Sequence, residues 1–167
     1  TPYFSYSESF EPLSGTTQGG KPFDPARGKQ YEAGVKYVPK DLPVVVTAAV
    51  YQLTKNNNLT ADPANPTSGF SVQGGEIRSR GFELEAKAAV SANVNVTAAY
   101  SYTDAEYTHD TWYEGRRPAE VPRNMASLWA DYTFHETALS GLTVGAGARY
   151  IGNTVTYYSS ASPKAYE

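Results

Sequence analysis

What most constrains this chain is a rhythm of connections. Stretches of about ten residues with alternating character are joined by links that are short and long in turn, as in a transmembrane β-barrel with tight turns on one side of the membrane and long loops on the other. Strand-like composition rich in Val, Tyr, Thr and Phe runs through residues 1–10, 28–38, 43–54, 74–89, 94–104, 122–134 and 142–151. The links at 39–42, 90–93 and 135–141 are short. Those at 11–27, 55–73 and 105–121 each hold roughly fifteen to twenty residues, and a compact soluble domain seldom makes even one loop of that kind.

Periodicity assigns the faces. Val94, Val96, Ala98, Tyr100 and Tyr102 fall on one side of their strand, with Asn95, Thr97, Ala99, Ser101 and Thr103 on the other. The next strand repeats the pattern: Ala126, Leu128, Ala130, Tyr132 and Phe134 oppose Ser127, Trp129, Asp131 and Thr133. In the last, Leu142, Val144, Ala146, Ala148 and Tyr150 oppose Thr143, Gly145, Gly147 and Arg149, so Arg149 points to a polar interior. Tyr31, Ala33, Val35 and Tyr37 alternate with Gln30, Glu32, Gly34 and Lys36, and Phe82, Leu84, Ala86 and Ala88 with Glu83, Glu85 and Lys87. The phase of 43–54 is ambiguous, because Val44, Val45 and Val46 run together. A soluble antiparallel sandwich also alternates. Its core, however, would be packed poorly by small residues such as Ala98, Ala126, Ala130, Ala146 and Ala148, whereas lipid asks only that the face be free of charge.

Composition closes other routes. No stretch approaches the about 18 consecutive apolar residues of a membrane helix, and mean hydropathy is −0.49. Cysteine is absent, which removes disulfides, thiolate metal sites and thiol catalysis. A net charge of −3 speaks against a nucleic-acid partner. Tyr supplies 14 residues against 6 Phe and 2 Trp, a bias suited to interfacial belts that are wet at one end and apolar at the other. His109 and Asp110, with Asp104 and Glu106, show no ligand-like repeat, so no metal site is expected. Glu83 and Glu85 could be imagined as an acid–base pair, but in a barrel they line the lumen with Lys87, Asp131 and Arg149 as balanced interior charge. No nucleophile, base and orienting group form a set, so no enzyme is expected.

The runs TPYFSYSESFEP (1–12), GKQYEAGVKY (28–37), RGFELEA (80–86), YTDAEY (102–107) and VPRNMASLWADY (121–132) resemble the C-terminal part of the barrel of TonB-dependent outer-membrane siderophore receptors, in its ferric hydroxamate (ferrichrome-type) branch. The resemblance implies an all-β, antiparallel up-and-down meander: about seven strands of a barrel of about 22, in the bacterial outer membrane, with residues 1–167 a partial barrel domain and no plug domain. It further implies a receptor that binds and imports ferric siderophores with energy from the TonB complex, reached through the missing plug region. Iron enters only within the chelate, with no resident cofactor. Outer-membrane lipid is the surrounding partner, and phage or bacteriocin attachment at the loops is a further use in some relatives. In the long loops, Tyr107, Trp112, Tyr113, Arg116, Arg117, Tyr157 and Tyr158 offer rings and cations where a chelate would first be met. The alternative is a soluble or surface-exposed β-rich adhesin using the tyrosine-rich loops alone. Outward strand faces that admit charge would favour it.

Overall fold

β-branched and aromatic residues at every second position hold the backbone extended, and the alternation leaves each strand one face for each environment. The computed structural model describes residues 1–62, 64–65, 67–136 and 138–155. Within them the chain forms a single antiparallel sheet whose seven strands lie side by side in sequence order. They are β1 (Pro2–Glu11), β2 (Ala26–Tyr37), β3 (Val44–Ala61), β4 (Ser71–Ala89), β5 (Val94–His109), β6 (Asn124–Thr133) and β7 (Thr143–Ile151). Tyr157 and Tyr158 lie outside the described residues.

Register carries the side-chain phase from strand to strand. Val35 pairs with Ala48, Ala48 with Leu84, Leu84 with Tyr100, Tyr100 with Ala126 and Ala126 with Tyr150, all on one apolar face. Gly34, Ala49, Glu83, Ser101, Met125 and Ile151 form the neighbouring row on the opposite, polar face. The ambiguous phase of β3 is thereby settled. Val44, Val46, Ala48 and Val50 share the apolar face with Ala86 and Leu84, while Val45 sits opposite Lys87 on the polar one.

Among the described residues no second layer covers the apolar face. Leu128 is 53% and Val144 51% exposed, and the buried apolar residues among those described are Ala26, Ala49, Ala105 and Val155. A sandwich of this length would bury large side chains, and none is fully buried among the described residues. Across the apolar band no strand carries a charge, so the soluble adhesin reading loses the feature that would have favoured it.

Two expectations about the loops are corrected. Residues 55–73 and 105–121 are not loops throughout, because β3 continues to Ala61, β4 begins at Ser71 and β5 runs to His109. The β3–β4 link spans only 62–70, no longer than the β6–β7 link at 134–142; what is long on that side is the strands themselves. Beyond the apolar band they pair through polar groups: Arg80 Nε donates to Gln52 Oε1 (2.8 Å), and Arg78 forms an ion pair with Glu106. Such extensions have no apolar face, hence no period in hydrophobicity to betray them.

Candidate functional site

On the polar face large rings lie flat against glycines of the next strand. Tyr51 reaches across Gly81 to place its Oη 2.8 Å from Thr103 Oγ1, a span that any side chain at Gly81 would block, since a Cβ there would fall 2.7 Å from that oxygen. Trp129 covers Gly145 and Gly147 in the same manner, with a Cβ at either coming within 2.7 Å of the indole. Strands thus approach closely while their rings stay on the surface.

Charge sits between these rings. Glu83, Glu85, Lys87, Asp131 and Arg149 all occupy the polar face. The sheet curls about that face, so that Tyr3 of β1, Glu83 and Glu85 of β4 and Arg149 of β7 line one hollow of about 560 Å³. Glu85 pairs with Lys87 at 2.6 Å, Asp131 accepts the Asn95 amide at 2.9 Å, and Tyr3 Oη donates to Glu32 at 2.7 Å. These partners are mostly exposed, so the ion pair contributes little to stability, about 1 kcal/mol at most. What it provides is a water-compatible wall.

At the long-loop end a second cavity forms from three strand ends. Asp110 Oδ1 accepts the N–H groups of Trp112 (2.8 Å) and Tyr113 (2.9 Å), starting a turn that closes when the Tyr107 N–H donates to the Arg116 carbonyl at 2.9 Å and the Gly115 N–H to the Tyr107 carbonyl at 2.8 Å. Thr111 ties this turn to β3: its N–H donates to Thr60 Oγ1 (3.0 Å) and its hydroxyl to the Ala61 carbonyl (2.5 Å). Tyr107, Trp112 and Tyr113 thereby meet Phe70 and Leu59 around a cavity of about 370 Å³, with Asp110 and Thr60 on its wall. The Tyr107 and Tyr113 rings lie 5.8 Å apart. Trp112 is 43% and Phe70 47% exposed, which leaves their faces open to a ligand.

The arginines do other work. Arg117 Nη2 donates to the Val121 carbonyl (2.8 Å) and the Asn153 carbonyl (3.4 Å), clamping the β5–β6 link to the segment after β7. Neither Arg117 nor Arg116 lines the tip cavity. Phe70 and Leu59 had no sequence signal, being single apolar residues in polar surroundings. His109, once grouped with Asp104, Glu106 and Asp110, stands on β5 with its Nδ1 3.8 Å from Glu76, and no set of three or more metal-binding side chains converges among the described residues.

One face for lipid, an opposite face of balanced charge and strands running on past the apolar band define this sheet as a sector of the wall of a transmembrane β-barrel. Residues 1–166 match the family described as TonB dependent receptor-like, beta-barrel, and the chain belongs to that family, whose barrels lie in the bacterial outer membrane. It is 66% identical over 92% of its length to the ferrichrome outer membrane transporter/phage receptor of Escherichia coli, of which it covers 20%. It is 43% identical over 93% of its length to the ferrioxamine B receptor of Salmonella typhimurium, covering 22%. The chain spans about a fifth of the length of these relatives. Among solved structures, Pseudomonas aeruginosa FpvA bound to a pyoverdine–iron complex superposes over 99% of the chain with a TM-score of 0.76 at 24% identity, covering 22% of that receptor, which shows the shared fold.

Proposed function

We propose that this chain forms part of an outer-membrane receptor that binds and imports ferric siderophores of the hydroxamate type with energy from the TonB complex. Its share is barrel wall, lumen lining and the loop-side rim. Glu83, Glu85, Lys87, Asp131 and Arg149 line the lumen, where mixed charge keeps the wall wetted. Tyr107, Trp112 and Tyr113 meet the incoming chelate. The single observation that supports the reading most is the tip cavity, where aromatic rings converge with Asp110 and Thr60. Rings offer large contact area at little entropic cost, and a few polar groups orient a hydrophilic ligand. The E. coli relative, 66% identical, is a ferrichrome transporter and phage receptor, which favours a chelate of the ferrichrome type and supports phage attachment as a further use.

The test uses the complete receptor. Replacing Trp112 and Tyr113 together by Ala is expected to weaken affinity for a ferric hydroxamate chelate by roughly thirtyfold or more, since aromatic anchors covered by a ligand carry about 1–2 kcal/mol each. Uptake of the iron-labelled chelate should fall in parallel. Unchanged affinity and uptake would remove the cavity from the path of the chelate.

A further inference from the structure

The tip cavity carries charge of one sign only. The rings of Phe70, Tyr107, Trp112 and Tyr113 share its wall with the carboxylate of Asp110, and among the described residues no Lys, Arg or His lines it. The lumenal hollow is built otherwise: there Arg149 stands beside Glu83 and Glu85, so neither sign is favoured.

Asp110 is half-buried and fixed in place, because its Oδ1 accepts the N–H groups of both Trp112 and Tyr113. Its Oδ2 accepts no hydrogen bond and the carboxylate forms no ion pair among the described residues. A carboxylate that has lost part of its water gains from a cation, and none of the side chains around it supplies one. Thr60 extends the accepting surface. Its proton goes to Thr111 Oγ1 at 3.1 Å, and the Thr111 proton goes on to the Ala61 carbonyl, so a lone pair is what Thr60 has left for a ligand.

Beyond the wall the sign persists, with Asp62 next to Ala61 and Glu114 next to Tyr113. The cations of this region are placed elsewhere. His109 lies beside Glu76, Arg117 holds the Val121 and Asn153 carbonyls, and Arg116 stands outside the cavity wall. The exposed rings of Trp112 and Phe70 act in the same direction as the carboxylate, since the face of an aromatic ring is its negative side and attracts an ammonium group.

We infer that the tip cavity selects chelates by charge: it seats the ammonium group of a cationic ferric hydroxamate chelate against Asp110 and the faces of Trp112 and Phe70, in preference to a neutral chelate of the same size. An ammonium group has donors and no acceptor, which suits a wall whose fixed polar groups accept. The inference rests on the reading that a chelate is met at this rim, and adds which chelates are held there best.

The complete receptor is titrated with a linear ferric trihydroxamate that ends in a primary ammonium, and with the same chelate N-acetylated, so that the two differ by one charge. The ammonium chelate should bind roughly tenfold more tightly, as expected of a ring contact and a partly exposed ion pair acting together. Asp110→Asn keeps an acceptor for the Trp112 and Tyr113 N–H groups and removes the charge; the ratio of the two affinities should fall by roughly threefold or more. A heat-dependent gel shift verifies that the variant is folded. In the native receptor, carbodiimide coupling of the ammonium chelate should form an amide at Asp110, located by peptide mass spectrometry, and the acetylated chelate should form none. Equal affinities for the two chelates, a ratio untouched in Asp110→Asn, or coupling confined to other carboxylates would overturn the inference. If the Trp112 and Tyr113 double variant then still weakens both chelates, the cavity meets chelates and charge selection alone fails; if that variant changes neither, the reading of the rim fails with it.

Discussion

Ala98 and Ala99 are neighbours with the same side chain, and the fold sends them to opposite environments. Ala98 stands near the middle of the apolar band between Ala86 and Leu128. Ala99 lies on the polar face between Glu85 and Ser127, in the hollow that also holds Arg149. In the complete receptor, Ala98→Lys places an ammonium near the bilayer midplane, at a cost of about 2–4 kcal/mol, or a factor of roughly 30–900 in the folding equilibrium. Ala99→Lys adds the same cation directly opposite Glu85, where a cross-strand charge pair contributes about 0.2–1 kcal/mol in the favourable direction. The two variants should therefore differ by more than 2 kcal/mol although only one residue separates them. The assay is denaturant unfolding of the receptor in lipid vesicles, followed by the fraction of protein that migrates as a compact band without heating. Equal midpoints for the two variants, or a larger loss for Ala99→Lys, would refute the assignment of faces.

Gly147→Val drives a side chain into Trp129 and toward the Leu128 carbonyl, 2.6 Å from its Cβ, and should destabilise the barrel by about 1–3 kcal/mol in the same assay. Gln73→Ala removes the side chain that accepts the Asp24 N–H at 2.8 Å and donates to the Asp24 carbonyl at 2.6 Å, so the β1–β2 link should be cut by protease several times faster while the unfolding midpoint of the barrel stays unchanged. Arg117→Ala frees the Val121 and Asn153 carbonyls and should raise amide exchange in 117–123, with a smaller loss of chelate affinity than the Trp112 and Tyr113 double variant.

What the residues disclosed in advance was the part of each strand in contact with lipid. There one face must be apolar, so β5, β6 and β7 showed a clean period of two. β3 hid its phase, because Val45 on the polar face is as apolar as Val44 and Val46 on the other. The outer ends of β3, β4 and β5, at 55–61, 71–73 and 105–109, were illegible for the opposite reason: both faces are wet, and residues such as Glu106, paired with Arg78, and Thr108, bonded to Glu76, look in sequence like any polar loop. Tyr107, Trp112 and Tyr113 could be singled out by residue type. Their convergence with Phe70 and Leu59 depends on Thr111 bonding to the end of β3, a contact between residues some fifty positions apart. Sequence spacing also gave no warning that Arg117 spends its guanidinium on backbone carbonyls.

The most direct test of the central claim uses antibodies against this sequence on outer-membrane fractions from cells grown with and without iron, with samples run unheated and boiled. A sheet that forms the wall of a siderophore receptor should appear as a band far above 18.1 kDa that shifts on boiling and strengthens under iron starvation. A small band in the soluble fraction, indifferent to heating and to iron, would contradict it.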